Sequence, residues 1–100
     1  MTIVLATLNA IPPGEGRVFE SAGERIAVFR TRADGVFAVQ AECPHRSGPL
    51  ADGLVGGTTL VCPLHSRKFD LRNGRSLSGD CDIKTYPVEV DAGVRVVLNV

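Results

Sequence analysis

Two cysteine–histidine pairs constrain this chain more than any other feature. They are Cys43-Pro44-His45 and Cys62-Pro63-Leu64-His65, and sixteen residues separate His45 from Cys62. The chain has two histidines and three cysteines in 100 residues, so chance would seldom pair all but one of them in this way. An odd number of cysteines is a poor basis for a disulfide framework. In a reducing compartment, cysteines beside histidines more often ligate or attack than form bridges. Two tight loops facing each other, each offering a thiolate and an imidazole, make a four-donor site. Proline after each cysteine fixes the local backbone. Glycines at 48, 53, 56 and 57 allow the chain to fold closely around whatever is held.

The rest of the sequence predicts an all-β frame for that site. Strands are expected at Ile3–Ala6, Arg17–Ser21, Arg25–Arg30 and Val36–Gln40, with turns at Ala22-Gly23 and Asp34-Gly35. Within Arg25–Arg30, Ile26 and Val28 alternate with Ala27 and Phe29. After the site, strands are expected at Thr85–Val90 and Val94–Val100 around the turn Asp91-Ala92-Gly93. No stretch keeps a helical period over a useful length. Residues 43–81 are loop-rich, with short strands at Thr59–Val61 and Arg67–Leu71 and a turn at Asn73-Gly74. Long loops are uncommon in a small domain unless something holds them, and a metal or cluster would do so. The expected division is one domain, 1–100, with a base of residues 1–42 and 82–100 and a cluster-binding insert of residues 43–81.

Charge narrows the partners. Lysine plus arginine equal aspartate plus glutamate at 11 each, and no basic run is interleaved with aromatics, so nucleic acid is not an expected partner. The apolar start has no positive flank, twin arginines are absent, and no apolar run reaches the length of a membrane span. The expectation is a cytoplasmic protein with no membrane partner. No glycine-rich phosphate loop follows a strand, and two Cys/His pairs in so small a chain favour ligation over thiol catalysis.

The runs CPHRSGPL (43–50) and CPLHSRKFDL (62–71) resemble the two ligand loops of the Rieske family, and the likeness extends more weakly through the flanking strands to Lys84–Val88. The resemblance implies one [2Fe–2S] cluster. Cys43 and Cys62 would give thiolates to the buried iron, and His45 and His65 would give imidazoles to the outer, reducible iron. Two thiolates leave the oxidised cluster near zero charge, whereas four would leave about two negative charges, so it accepts an electron more readily. The implied fold is the Rieske antiparallel sandwich or barrel with its inserted cluster-binding loops. The implied function is one-electron transfer without a catalytic site, from a reductase, expected to contain flavin, to a catalytic oxidoreductase component. Histidine ligation also implies a potential that falls as pH rises.

Departures from the respiratory members set the subtype. Their second cysteine in each loop is missing: Gly48 or its neighbours and Leu64 stand at those places. Their serine and tyrosine after the last histidine are replaced by Arg67 and Phe69. Fewer hydrogen bonds to the sulfurs predict a potential near the low end of the range, about −150 mV. The run from Cys62 to Gly74, C-P-L-H-x-x-x-F-D-L-x-x-G, resembles the small subunit of NAD(P)H-dependent nitrite reductase, which implies nitrate assimilation. The alternative is a ferredoxin component of a ring-hydroxylating oxygenase, and a more distant one is a structural Cys₂His₂ zinc module. Three further readings stay open. Cys81 is either an ordinary, at least partly buried thiol or part of a third loop, Ser78–Cys81, over the cluster. Leu50, Pro63, Leu64 and Phe69 are either simple packing or a dry shell around the site. Arg46, Ser66, Arg67 and Lys68 form either a solvated rim or a basic docking patch.

Overall fold

β-Branched and aromatic residues, cut by glycine and proline turns, give ten short strands and no α-helix among the described residues. The computed structural model describes residues 2–33, 35–44, 48–63, 67–79 and 81–99. The strands are β1 (Thr2–Thr7), β2 (Glu15–Ser21), β3 (Glu24–Arg30), β4 (Val36–Gln40), β5 (Leu54–Gly56), β6 (Thr59–Val61), β7 (Lys68–Asp70), β8 (Thr85–Tyr86), β9 (Val88–Asp91) and β10 (Arg95–Asn99). They form three antiparallel sheets, ordered β1-β10-β9, β2-β3-β4-β8 and β5-β6-β7. The all-β expectation is correct.

The four-stranded sheet lies between two cores. Ile26, Val28 and Ala38 from one face pack with Ile11, Val96 and Leu98. Ala27, Phe29 and Val39 from the other face pack with Cys43, Leu50, Leu60, Cys62 and Phe69. The alternation read along β3 therefore separates two buried faces rather than a buried face from a wet one, as a central strand requires. Ile26 through Phe29 are all at most 1% exposed.

Three local expectations need correction. Thr85–Val90 is not one strand. Pro87 separates β8, which pairs with β4, from β9, which pairs with β10, so the chain changes sheets at the residue that has no N–H to donate. β5 and the two 3₁₀ turns Leu8–Ala10 and Leu50–Asp52 are too short to leave a periodic signal. Gly56 and Gly57 lie at the β5–β6 turn, at the opposite end of β6 from Cys62, with open space beside their Cα atoms. Asp34, of the predicted Asp34-Gly35 turn, and Val100 lie outside the described residues.

Candidate metal centre

Cys43 and Cys62 open two loops of the same construction. In the first, the Cys43 N–H donates to the Gly48 carbonyl at 2.7 Å, and the bridge Glu42–Pro49 closes the neck. In the second, the Cys62 N–H donates to the Arg67 carbonyl, also at 2.7 Å, and the pair Val61–Lys68 closes the neck. Each loop thus spans six positions, 43–48 and 62–67, with its cysteine first. The single-residue difference in Cys-to-His spacing falls inside two loops of equal length.

The cysteines are 2% and 1% exposed, belong to one apolar cluster with Leu50, Leu60 and Phe69, and form no disulfide. The residue after each, Pro44 or Pro63, is already exposed. Each loop therefore passes from a buried thiol to the surface in one step. His45 and His65, with Arg46, Leu64 and Ser66, lie outside the described residues. Two thiol donors that share a dry cluster, on paired loops, suit a cofactor held by two facing hairpins.

The surroundings explain several sequence features. Leu50 and Phe69 are buried in one cluster with both cysteines, as either reading of them expected, whereas Pro63 is exposed. At Gly53 an added Cβ would stand 2.4 Å from the Val61 carbonyl, one residue before Cys62, so the first loop's exit presses directly on the second loop's base. The Gln40 side chain accepts from the Lys84 N–H at 2.8 Å and donates to the Glu42 carbonyl at 2.7 Å. It pins the approach to Cys43 to the start of β8. Sequence reasoning did not find this residue, because its ends meet partners on different segments, one of them 44 positions away.

The run Phe69-Asp70-Leu71-x-x-Gly74 has a structural account. Phe69 and Leu71 are buried, and Asp70 caps the turn between them and Gly74. Its Oδ1 accepts from the Arg72 backbone N–H at 2.9 Å and its Oδ2 from the Arg72 guanidinium at 2.9 Å. These bonds hold the Asp70 carboxyl below the ordinary carboxylate range, and they raise Arg72 above its own. Gly74 is at φ +76, and a Cβ there would lie 2.1 Å from the Ile83 carbonyl. The motif builds a turn.

Beyond Gly74, residues 75–79 run back along β7. The bridge Phe69–Ser76, the bond from Leu77 N–H to the Lys68 carbonyl at 2.8 Å and the bond from Lys68 N–H to Ser78 Oγ at 3.0 Å hold this third loop beside the second. Cys81 follows in an exposed position, which corrects the expectation of a buried or partly buried thiol. Among the described residues no helix is long and apolar enough to cross a membrane.

The model of the Rieske-like [2Fe–2S] domain matches residues 3–98. The chain belongs to that family. Its cofactor is therefore one Rieske-type [2Fe–2S] cluster, and its general role is that of an electron-transfer ferredoxin. The buried thiol pair fits such a group, which needs thiolates kept dry on one side. The ferredoxin component of the naphthalene 1,2-dioxygenase/salicylate 5-hydroxylase systems of a Ralstonia species is 33% identical over 96 residues, covering 94% of this Rieske chain and 90% of that protein. A solved structure provisionally named as the small subunit of NADPH nitrite reductase matches with a TM-score of 0.90 at 28% identity, covering 100% of this chain and 99% of the other. The ferredoxin of carbazole 1,9a-dioxygenase from Nocardioides aromaticivorans IC177 matches with a TM-score of 0.83 at 30% identity, covering 97% and 96%.

Proposed function

We propose that this Rieske protein is the electron-carrying small subunit of an NAD(P)H nitrite reductase, with Cys43, His45, Cys62 and His65 as its four cluster ligands. The same reading takes residues 1–42 and 82–100 as the base and residues 43–81 as the cluster-binding insert. The cluster, when bound, supplies a centre that accepts and returns one electron. The chain's own residues do the rest. Burial keeps water from Cys43 and Cys62, and the two neck hydrogen bonds fix where the loops point. The surface begins one residue beyond each cysteine, so an electron has a short way out. The observation that carries the acceptor assignment is the backbone match to the nitrite reductase-type small subunit over essentially the whole of both chains. The donor in this reading is a flavin-containing reductase, and the compartment is the cytoplasm.

A second reading, a ferredoxin that feeds an oxygenase, is favoured by the 33% identity to the Ralstonia ferredoxin component. The two part on one measurement. The reduced protein is mixed without oxygen with the catalytic subunit of an NADPH nitrite reductase and nitrite, and separately with the oxygenase of a naphthalene dioxygenase system. Reoxidation with nitrite consumed in the first mixture alone is the expected result. Reoxidation in the second alone would transfer the assignment to the ferredoxin reading, and none in either would overturn both.

A further inference from the structure

The strand register brings together four residues that are scattered in the sequence. Leu54 pairs with Val61, and Val61 pairs with Lys68. The Phe69–Ser76 bridge and the Leu77-to-Lys68 hydrogen bond extend the same row to Leu77. Directly opposed residues of antiparallel strands share a face. Leu54, Val61, Lys68 and Leu77 therefore stand in one line across the sheet, on the face opposite Leu60 and Phe69. Exposure agrees: Leu54 is 75% and Leu77 56% exposed, whereas Leu60 and Phe69 are at most 1%.

This row lies at the neck of the second ligand loop, because Val61 and Lys68 are the pair that closes it. A surface cavity of about 240 Å³ runs from Leu54 and Val61 to Cys62 and Pro63, with Asp52 at its Leu54 end. The other exposed large apolar residues among those described, Val4, Val18 and Val94, lie outside this sheet. The row also carries an uncommitted charge. Neither Lys68 nor Arg75, two rows further on, has an anionic side-chain partner among the described residues, while nearby Asp70 is occupied by Arg72.

We propose that the row Leu54–Val61–Lys68–Leu77 is the seat of the electron-exchange partner, a protein surface that is apolar at its centre and carboxylate-bearing where it meets Lys68 and Arg75. The proposal rests on the electron-carrier reading above. Two exposed leucines on a sheet face beside the loops call for an apolar cover. Lys68 and Arg75, without an anionic side-chain partner among the described residues, favour an acidic partner and speed the encounter. Seating there sets the partner against the neck of the loop that holds Cys62.

The test measures electron transfer by rapid mixing from the reduced protein to the two acceptors named above, the nitrite reductase catalytic subunit and the dioxygenase oxygenase. Whichever acceptor the unaltered protein reduces is then used with Lys68→Glu, with the double variant Leu54→Ser/Leu77→Ser, and with Val4→Ser as a control on the base. Each row variant should lower the second-order rate constant about tenfold. Lys68→Glu should also flatten its dependence on salt, while Val4→Ser changes nothing. The visible spectrum should be unchanged in all of them, and the potential unchanged in the leucine double variant and the control, which separates docking from damage to the cluster. If the double variant fails to fold, Lys68→Glu decides alone. Unaltered rates in the row variants would overturn the proposal and leave the electron-carrier reading standing. Failure of the unaltered protein to reduce either acceptor would overturn its assignment to these two systems, and the seat argued for them with it.

Discussion

At the scale of single residues, the three cysteines separate cleanly. Cys43 and Cys62 are buried in one cluster, whereas Cys81 is exposed. Cys62→Ser should abolish the S = 1/2 electron paramagnetic resonance signal of the reduced protein and bring iron and sulfide close to zero. Cys81→Ser should leave iron, sulfide and signal intact. Iron lost from the Cys81 variant alone would contradict the ligand assignment. Phe69 makes a finer prediction. It lies in the same cluster as both cysteines, 1% exposed and without a hydroxyl, where respiratory relatives carry tyrosine. A hydroxyl donating to cluster sulfur or to Cys43 or Cys62 stabilises the more negative, reduced state. Phe69→Tyr should therefore raise the potential, by about 40 mV if the bond contributes about 1 kcal/mol. Protein-film voltammetry of both forms reads this directly, and an unchanged or lower potential would show that no such bond forms.

At the scale of elements, the turn after β7 governs the third loop, and its stability has a pH signature. The Asp70 carboxyl is held below its ordinary value by Arg72, so in the unfolded chain it binds a proton more readily. The stabilisation is complete above the unfolded carboxylate value, about 4, and is lost as pH falls through the lower folded value. Melting temperatures of the native protein and Asp70→Asn should differ most at neutral pH and converge as pH falls below the ordinary carboxylate range. A constant gap down to pH 2 would mean that Asp70 acts through packing alone. The elements also show what the sequence made legible. β4 and β6 are where the sequence put them, and β2 and β3 agree within two residues, because β-branched or alternating residues sit between clear turn residues. Thr85–Val90 read as continuous because both its halves are extended, and Pro87's role in changing sheets depends on partners that local sequence does not reveal. The ligand pairs stood out by their spacing. Their equal six-residue loops did not, since the bonds that close them run to Gly48 and Arg67 through backbone atoms that any residue offers.

At the scale of the whole molecule, the middle sheet serves two cores of different character. One, around Ile11, Ile26, Val96 and Leu98, draws only on residues 1–42 and 82–100. The other joins Ala27, Phe29, Val39 and Ile83 of those segments to Leu50, Leu60, Phe69, Leu71 and the two cysteines of residues 43–81. Among the described residues, 43–81 thus have no core of their own, and on the proposed ligand assignment part of their order would come from what Cys43 and Cys62 hold. A small domain with loops of this length gains stability from a bound metal group, which ties chain segments that apolar contact alone holds weakly. Stripping the cluster should therefore act unevenly. Hydrogen exchange read by mass spectrometry should show β1, β3 and β10 protected within about threefold of the loaded protein. Residues 48–63 and 67–79 should exchange at least about a hundredfold faster, as expected when local opening costs about 3 kcal/mol less. The physical cause is that β3 keeps one fully packed face, Ile26 and Val28, whatever happens on the other. Equal loss of protection in both regions would mean that the two cores unfold as one unit, with the cluster holding the base as well as the insert.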